Sequence, residues 1–333
     1  MAWNSESDLE IWMMAKLAGL GYATAFGAEI SPEKRDPERR SFHDAVLRKI
    51  FAKAVARLNP ELPEGAVNEV VARVADDTLS GDLIAENRRV HDLMLRGVPV
   101  TYFFQGEERN GRARLVDWED EENTWHAFNQ VDMVGRTPRI PDVVVYLNGL
   151  PLVVIELKGT EGAGIEAAYN QIETYKADVP RLFFSTLFSV ISDGMAARYG
   201  TLSANLDRYM RWRTVDGETI RPENEVLALG TLTEGLLNRR TLLDMLRWFV
   251  VFEDDGKGPI KKAAGYHQFH AVRKALTSIL SARDDDGKGG VIWHTQGSGK
   301  SLLMTFLSGR VMRMACTTRR LHFRRRLFMS YGE

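Results

Sequence analysis

Three charged residues stand in a stretch that is otherwise built for the inside of a sheet. Over Arg139–Gly159, RIPDVVVYLNGLPLVVIELKG, two apolar runs, Val143–Leu147 and Pro151–Leu157, flank the pair Asn148-Gly149. That pattern predicts a β-hairpin. Asp142 enters the first strand, while Glu156 and Lys158 leave the second two positions apart, so their side chains share a face. Two carboxylates and an ammonium at strand ends suit metal-dependent hydrolysis. Hard oxygen ligands hold Mg²⁺, which keeps several of its waters, and an ammonium orients or helps deprotonate the attacking water and offsets phosphodiester charge. Asp142 and Glu156 are the candidate metal ligands. Read structurally, the same residues are strand-end ion pairs on a solvated rim.

Whether Asp142 joins the other two depends on the turn. A two-residue loop at Asn148-Gly149 pairs Leu147 with Leu150 and turns Asp142 to the wrong face. A three-residue loop, with Gly149 in the left-handed position of a bulge, pairs Tyr146 with Leu150 and brings Asp142, Glu156 and Lys158 together. The expectation is the three-residue loop, because a glycine stands where positive φ is needed.

A second constellation lies far along the chain. Val291–His294 reads as a short buried strand, Ser301–Met314 as a helix, and between them runs Thr295-Gln296-Gly297-Ser298-Gly299-Lys300-Ser301. Glycines let backbone N–H groups wrap a phosphate, the helix N-terminus adds positive potential, Lys300 reaches the β and γ phosphates, and Ser301 holds Mg²⁺. His294 stands where the general pattern has its first glycine. A glycine-rich strand-to-helix turn with no ligand is the plainer reading.

The stretch Pro141-Asp142 followed by Glu156-Leu157-Lys158 resembles the PD-(D/E)xK nuclease signature, and NGLPLVVIELKG is similar to the restriction (R) subunit of type I restriction-modification enzymes. The resemblance implies that Asp142 and Glu156 bind Mg²⁺ and that Lys158 assists the water. Gln171 and Tyr175, four apart on one face of a helical stretch, match the QxxxY motif that accompanies this nuclease. An acidic residue on the opening helix often faces the metal in such enzymes, and Glu10 is the best match; a solvated helix glutamate is the alternative. Tyr266-His267-Gln268 resembles the Q motif of superfamily 2 motors, which implies that Gln268 reads adenine and favours ATP. Double-stranded DNA and the modification (methyltransferase) and specificity subunits are the partners implied. Catalytically silent DNA-binding or assembly, and a stand-alone repair nuclease, remain the competing functions.

The elements that must position these residues follow from the rest of the chain. Its 333 residues suffice for roughly two domains. A net charge of −1 gives no global basic field, so DNA contact must come from a local patch. No apolar run reaches the length of a membrane span and the N-terminus is acidic, so a cytoplasmic protein is expected. The single Cys316 excludes an internal disulfide and a multi-cysteine zinc site. Helices are expected at Leu9–Leu20, Ser41–Leu58, Glu64–Val74, Ile165–Lys176 and within Val226–Phe252. Strands are expected at Gly97–Gly106, with Arg112–Asp117 as partner, at Phe128–Val134 as an edge, and at Leu182–Val190. Arg198–Thr214 mixes arginines with Tyr199, Tyr209 and Trp212, which suits either DNA contact or ordinary packing.

The fold class is thus α/β: a restriction-endonuclease-like mixed sheet flanked by helices, then an incomplete RecA-like motor segment. The expected divisions are a nuclease domain over 1–253, a linker over 254–265, a truncated ATPase start over 266–313 and an atypical basic tail over 314–333. The resemblance fades beyond about Arg313, where the arginine-dense ending points to a truncation, with an altered frame or a natural nucleic-acid-binding tail as its two explanations. An ATPase also needs a second acidic strand motif and an arginine from another lobe, so no ATP turnover is expected of this chain.

Overall fold

The computed structural model describes residues 5–76, 81–159, 164–221, 228–254, 256, 258–283 and 287–317. Two compact units divide the chain, Met1–Tyr266 and His267–Glu333. None of the described helices is long and apolar enough to cross a membrane.

The first unit opens with α1 (Glu6–Gly19), whose start is fixed by Ser5: its hydroxyl accepts the Asp8 amide at 3.1 Å, and Glu6 and Asp8 complement the positive helix end. Leu9, Met13 and Leu17 recur every fourth residue and are buried, with Glu10 on the same face. There follow β1 (Ala23–Phe26), α2 (Arg48–Leu58), α3 (Glu64–Ala75), α4 (Leu83–Arg96), β2 (Val98–Phe104), β3 (Glu107–Ala113), β4 (Trp125–Asn129), β5 (Met133–Val134), β6 (Pro138–Arg139), β7 (Val143–Leu147), β8 (Leu150–Leu157), α5 (Gly164–Asp178), β9 (Phe188–Ser192), β10 (Ala197–Gly200), α6 (Ala228–Gly235), α7 (Arg239–Trp248), β11 (Val250–Asp254) and β12 (Pro259–Ala263).

Six strands form one mixed sheet in the order β1-β4-β7-β8-β9-β10, with β1–β4 and β8–β9 parallel and the other pairs antiparallel. Every residue of β7 and β8 is buried, as expected for central strands covered on both faces. On one face Val144, Tyr146 and Val154 join a core with Ala168, Ile172 and Tyr175 of α5. By the alternation of a strand, Val143, Val145, Val153 and Ile155 turn to the other face, and α1 packs across β1, β4 and β8.

The hairpin differs from the expected three-residue loop. Asn148 (φ 52°) and Gly149 (φ 85°) form a two-residue turn in which both central residues are left-handed, and Leu147 pairs with Leu150. The parity is restored further along. Tyr146 pairs with Pro151 but Val145 pairs with Val153, so Leu152 is a bulge. Proline has no N–H to give the ladder, and the bulged pair is held from the other side: the Ser185 hydroxyl donates to the Pro151 carbonyl at 2.6 Å and the Leu187 amide to that of Leu152 at 2.7 Å.

The turn itself is inside the protein. The fully buried Asn148 side chain donates to the Leu115 carbonyl (3.0 Å) and accepts the Thr124 amide (2.7 Å), and the Gly149 carbonyl accepts the Leu47 amide at 2.9 Å. A Cβ on Gly149 would lie 2.6 Å from the Leu47 carbonyl.

Other expectations shift for local reasons. The partner of β2 is Glu107–Ala113, not Arg112–Asp117, because the chain reverses tightly at Gln105-Gly106. The strand expected as an edge is β4, inside the sheet between β7 and the unanticipated β1. Helix α2 starts only at Arg48, and Leu182 and Phe183 belong to a tight helical turn ahead of β9. Within the expected linker over 254–265, β12 pairs with β11, and the first unit extends to Tyr266. The tail past 317, residues 160–163 and residues 284–286 lie outside the described residues.

In the second unit, α8 (Tyr266–Arg283) and α9 (Lys300–Thr317) are the described elements. The strand expected at Val291–His294 does not form: Val291 is 91% and Trp293 89% exposed. A strand needs a hydrogen-bonded neighbour, and none pairs with this segment among the described residues.

Candidate active site

The bulge decides where the charges meet. One step beyond the Val143–Ile155 pair, Asp142 stands across from Glu156 at the end of the hairpin, on the face covered by α5. Here β7 has run out, and the Asp142 carboxylate itself takes the Leu157 amide at 2.7 Å. Both acids are buried, Asp142 to 6% exposure and Glu156 to 1%. Lys158 donates to Glu156 Oε1 at 2.6 Å and to the Leu157 carbonyl at 3.1 Å. Asp142, Glu156 and Lys158 therefore converge, by a different backbone route from the one expected.

The pair is electrostatically costly as it stands. Burial, then the charge of Glu156, pushes the Asp142 carboxyl up to about 8, against the Leu157 amide and Lys158. Burial also raises Glu156 despite its bond to Lys158. For Lys158 burial acts against the charge, but Glu156 foremost, then Asp142 and Glu6, hold the ammonium above the ordinary lysine range. In this geometry Lys158 is a hydrogen-bond donor to Glu156 and to the Leu157 carbonyl. Glu156 Oε2 is buried and hydrogen-bonded to nothing. An orphaned carboxylate oxygen beside a second buried carboxylate fits a hard divalent cation such as Mg²⁺, which would relieve both penalties. Among the described residues no cluster of three or more His, Cys, Asp or Glu is placed to hold a metal, so these two acids would leave coordination positions for water and substrate.

Helix α5 brings Gln171 and Tyr175 to the same place. The Tyr175 hydroxyl donates to the Ile140 carbonyl at 3.2 Å, just ahead of Asp142. Burial, then the charge of Glu156, raises its pKa. The Tyr175 hydroxyl thus ties α5 to the segment that presents Asp142.

Glu10 is held differently. Its carboxylate accepts the side-chain amides of Asn129 and Gln130, at the end of β4. The acid of α1 that reaches Lys158 is Glu6, with Oε1 3.5 Å from Nζ. Glu6 lies four residues before Glu10 and so on the same helix face; that spacing was the available signal.

In the second unit the glycine-rich loop stands ahead of α9 without a preceding strand among the described residues. Gly297 (φ 80°) and Gly299 (φ 76°) take left-handed conformations, and α9 begins at Lys300. The buried Gln268 amide donates to the Gly299 carbonyl at 3.0 Å, and a ring nitrogen of His267 lies 3.1 Å from the Ser298 carbonyl. Lys300 Nζ is 3.4 Å from the His294 carbonyl, and Ser301 is the second residue of the helix. The Ser298 hydroxyl is buried without a hydrogen-bond partner. Such a loop suits a phosphate group.

The aromatic residues of Arg198–Thr214 are packing residues. Tyr199, Tyr209 and Trp212 are buried, and the Tyr199 hydroxyl donates to the Ala264 carbonyl at 2.7 Å. None presents a face for stacking a base.

Residues 4–208 match the sequence model of the type I restriction enzyme R protein N terminus. The chain belongs to the type I restriction enzyme R protein family. Residues 267–323 match the SWI2/SNF2 ATPase family, so the similarity continues past Arg313, where the resemblance was expected to fade. Among curated relatives, the type I restriction enzyme HindI endonuclease subunit of Haemophilus influenzae is 38% identical over 320 residues, covering 92% of this chain and 30% of that protein. The type I restriction enzyme MjaIXP endonuclease subunit of Methanocaldococcus jannaschii, named as putative, is 28% identical over 337 residues, covering 93% of the chain and 32% of the relative. A Staphylococcus aureus relative, the SauCOLORF180P endonuclease subunit, is 28% identical over 181 residues, 54% of the chain and 18% of its own length. The chain thus spans about a third of the first two R proteins or less.

Proposed function

We propose that the first unit is the Mg²⁺-dependent endonuclease part of an ATP-dependent type I restriction enzyme, acting on unmodified double-stranded DNA. The observation that carries this reading is the pair of buried carboxylates, Asp142 and Glu156, with an oxygen of Glu156 left without a partner beside the Lys158 ammonium. Asp142 and Glu156 are the residues that would hold Mg²⁺. When bound, the ion supplies Lewis-acid polarisation of the phosphodiester and a more acidic water. Lys158, fixed by Glu156 and Glu6, orients that water and offsets charge on the phosphate. Tyr175 and Gln171 keep the Asp142 segment in place, and Glu10 ties α1 to the end of β4.

In the second unit, Gln268 and the loop Gly297, Ser298, Gly299, Lys300 and Ser301 supply the adenine-reading and phosphate-binding groups of an ATP site that drives translocation. DNA and the modification and specificity subunits are the partners in this reading, and the cytoplasm is where it operates. The relatives' names as endonuclease subunits support it.

Plasmid nicking by the chain, with and without Mg²⁺, tests the proposal. Asp142→Ala, Glu156→Ala and Lys158→Ala should each abolish whatever Mg²⁺-dependent nicking the chain has. Equal nicking by all four proteins would remove these residues from the chemistry. Nucleotide binding is tested separately by ATP titration of the chain and of Lys300→Ala, with little or no turnover expected from either.

A further inference from the structure

Away from the carboxylates, positive charge gathers in one groove of the first unit. Its volume is about 360 Å³, and it runs between the β5–β6 hairpin and the C-terminal end of α5, with His43, Arg136 and Arg181 on its walls. All three are exposed. Asp178 is the one carboxylate among the lining residues. It is already engaged: Thr137, then Arg139, hold its pKa down, and Arg139 is paired with it at 2.7 Å. Arg136 adds to that field, and among the described residues Arg136 forms no ion pair within 4.0 Å and Arg181 has no side-chain partner. The groove therefore carries surplus positive charge, on a chain whose net charge is −1.

Its two walls are tied together. The Arg136 amide donates to the Asp178 carbonyl at 2.7 Å, and the hairpin lies so close there that a Cβ on Gly135 would meet that carbonyl at 1.9 Å. The groove is built from elements that also hold the candidate active site. Arg139 runs into Asp142 along the chain, Asp178 lies one helical turn beyond Tyr175, and Tyr175 bonds the intervening Ile140 carbonyl. Two guanidinium groups on facing walls, exposed and without an enclosing polar cage, suit a polyanion laid along the surface better than a small anion.

We propose that this groove seats the phosphate backbone of duplex DNA, with Arg136 and Arg181 each contacting a phosphate. The proposal rests on the nuclease reading for its choice of DNA, but its test does not depend on cleavage. Contacts of this kind fix register and carry no sequence information, so duplexes of unrelated sequence bind alike.

The experiment is fluorescence anisotropy of a labelled duplex with the 333-residue chain, in EDTA, over a series of salt concentrations. Reversing both charges, with Arg136→Glu and Arg181→Glu together, should weaken binding at least about tenfold and lower the salt slope by about 2, the loss of two phosphate contacts. Arg136→Lys with Arg181→Lys should keep most of the affinity, and Arg109→Glu on β3, outside the groove, should keep the slope. Unchanged affinity and slope in a folded double-Glu variant overturns the proposal, as does failure of the wild-type chain to bind duplex. If the double-Glu variant does not fold, Arg136→Gln and Arg181→Gln are measured singly, and no loss in either overturns it. Nicking by Asp142→Ala separates the two ideas: Arg-dependent binding with nicking indifferent to Asp142 removes the nuclease assignment and leaves the groove, and the opposite pattern removes the groove alone.

Discussion

Asp142 accepts the Leu157 amide at 2.7 Å, so one carboxylate oxygen does the work of a missing strand neighbour while the group faces Glu156. Burial and the charge of Glu156 push the folded carboxyl up to about 8 from the ordinary 3.8, so from about pH 4 upward the folded chain should retain a proton that the unfolded chain has released. Stability is therefore lost as pH rises through that window. Asp142→Asn, which keeps an acceptor for Leu157, should be more stable than wild type at pH 8 by on the order of a few kcal/mol. The gap should narrow towards pH 5. Urea denaturation in EDTA at the two pH values measures it, and a gap independent of pH would contradict the assigned cause.

Divalent metal should reverse that penalty. Addition of Mg²⁺ at about a hundred times its dissociation constant should stabilise the wild-type chain by about 2.7 kcal/mol, several degrees in melting temperature. Asp142→Ala and Glu156→Ala should show no such shift. Differential scanning fluorimetry over a metal titration gives the answer, and an equal shift in all three proteins would place the ion elsewhere.

Lys261 offers an independent pH signature. The residue is 2% exposed, its ammonium bonded to Asn87 Oδ1 at 2.8 Å and the Thr186 carbonyl at 2.7 Å, with no anion paired to it among the described residues. Burial lowers its pKa to about 7. Between that value and the ordinary 10.5 the unfolded chain binds a proton that the folded chain does not, so stability rises with pH over this range. The rise should be as much as about 1.4 kcal/mol per pH unit and should disappear in Lys261→Met. Denaturation from pH 7 to 9.5 compares the two slopes.

Gly149→Ala should destabilise by about 2 kcal/mol or more, because φ is +85° and the new Cβ would meet the Leu47 carbonyl at 2.6 Å. Equilibrium urea unfolding checks this. An unchanged midpoint would mean that the turn can leave its seat.

The sequence made the hairpin, the helix of Gln171 and Tyr175, and the glycine-rich turn ahead of α9 legible because each is a local pattern of charge, glycine and apolar spacing. It did not disclose the bulge at Leu152, which depends on Ser185 and Leu187 reaching over from another part of the chain. The same limit explains β1, a four-residue strand with no fully buried position, which exists through its pairing with β4. It also explains Val291–His294, whose composition says strand but which has no neighbour to pair with among the described residues. Glu6 went unremarked beside Glu10 because only the tilt of α1 against the end of β8 separates the acid that meets Lys158 from the one taken up by Asn129 and Gln130.

Hairpin tips are commonly where a lineage accepts inserted residues, since nothing outside them is disturbed. Here the tip is sealed against α2 and the Leu115–Thr124 segment, so a length change at Asn148-Gly149 would have to be absorbed along the two central strands, where a single added residue exchanges their faces. The spacing between the two acids is thereby gauged from the far end of the sheet, and substitutions around Leu47 are expected to be felt as misalignment of Asp142 with Glu156.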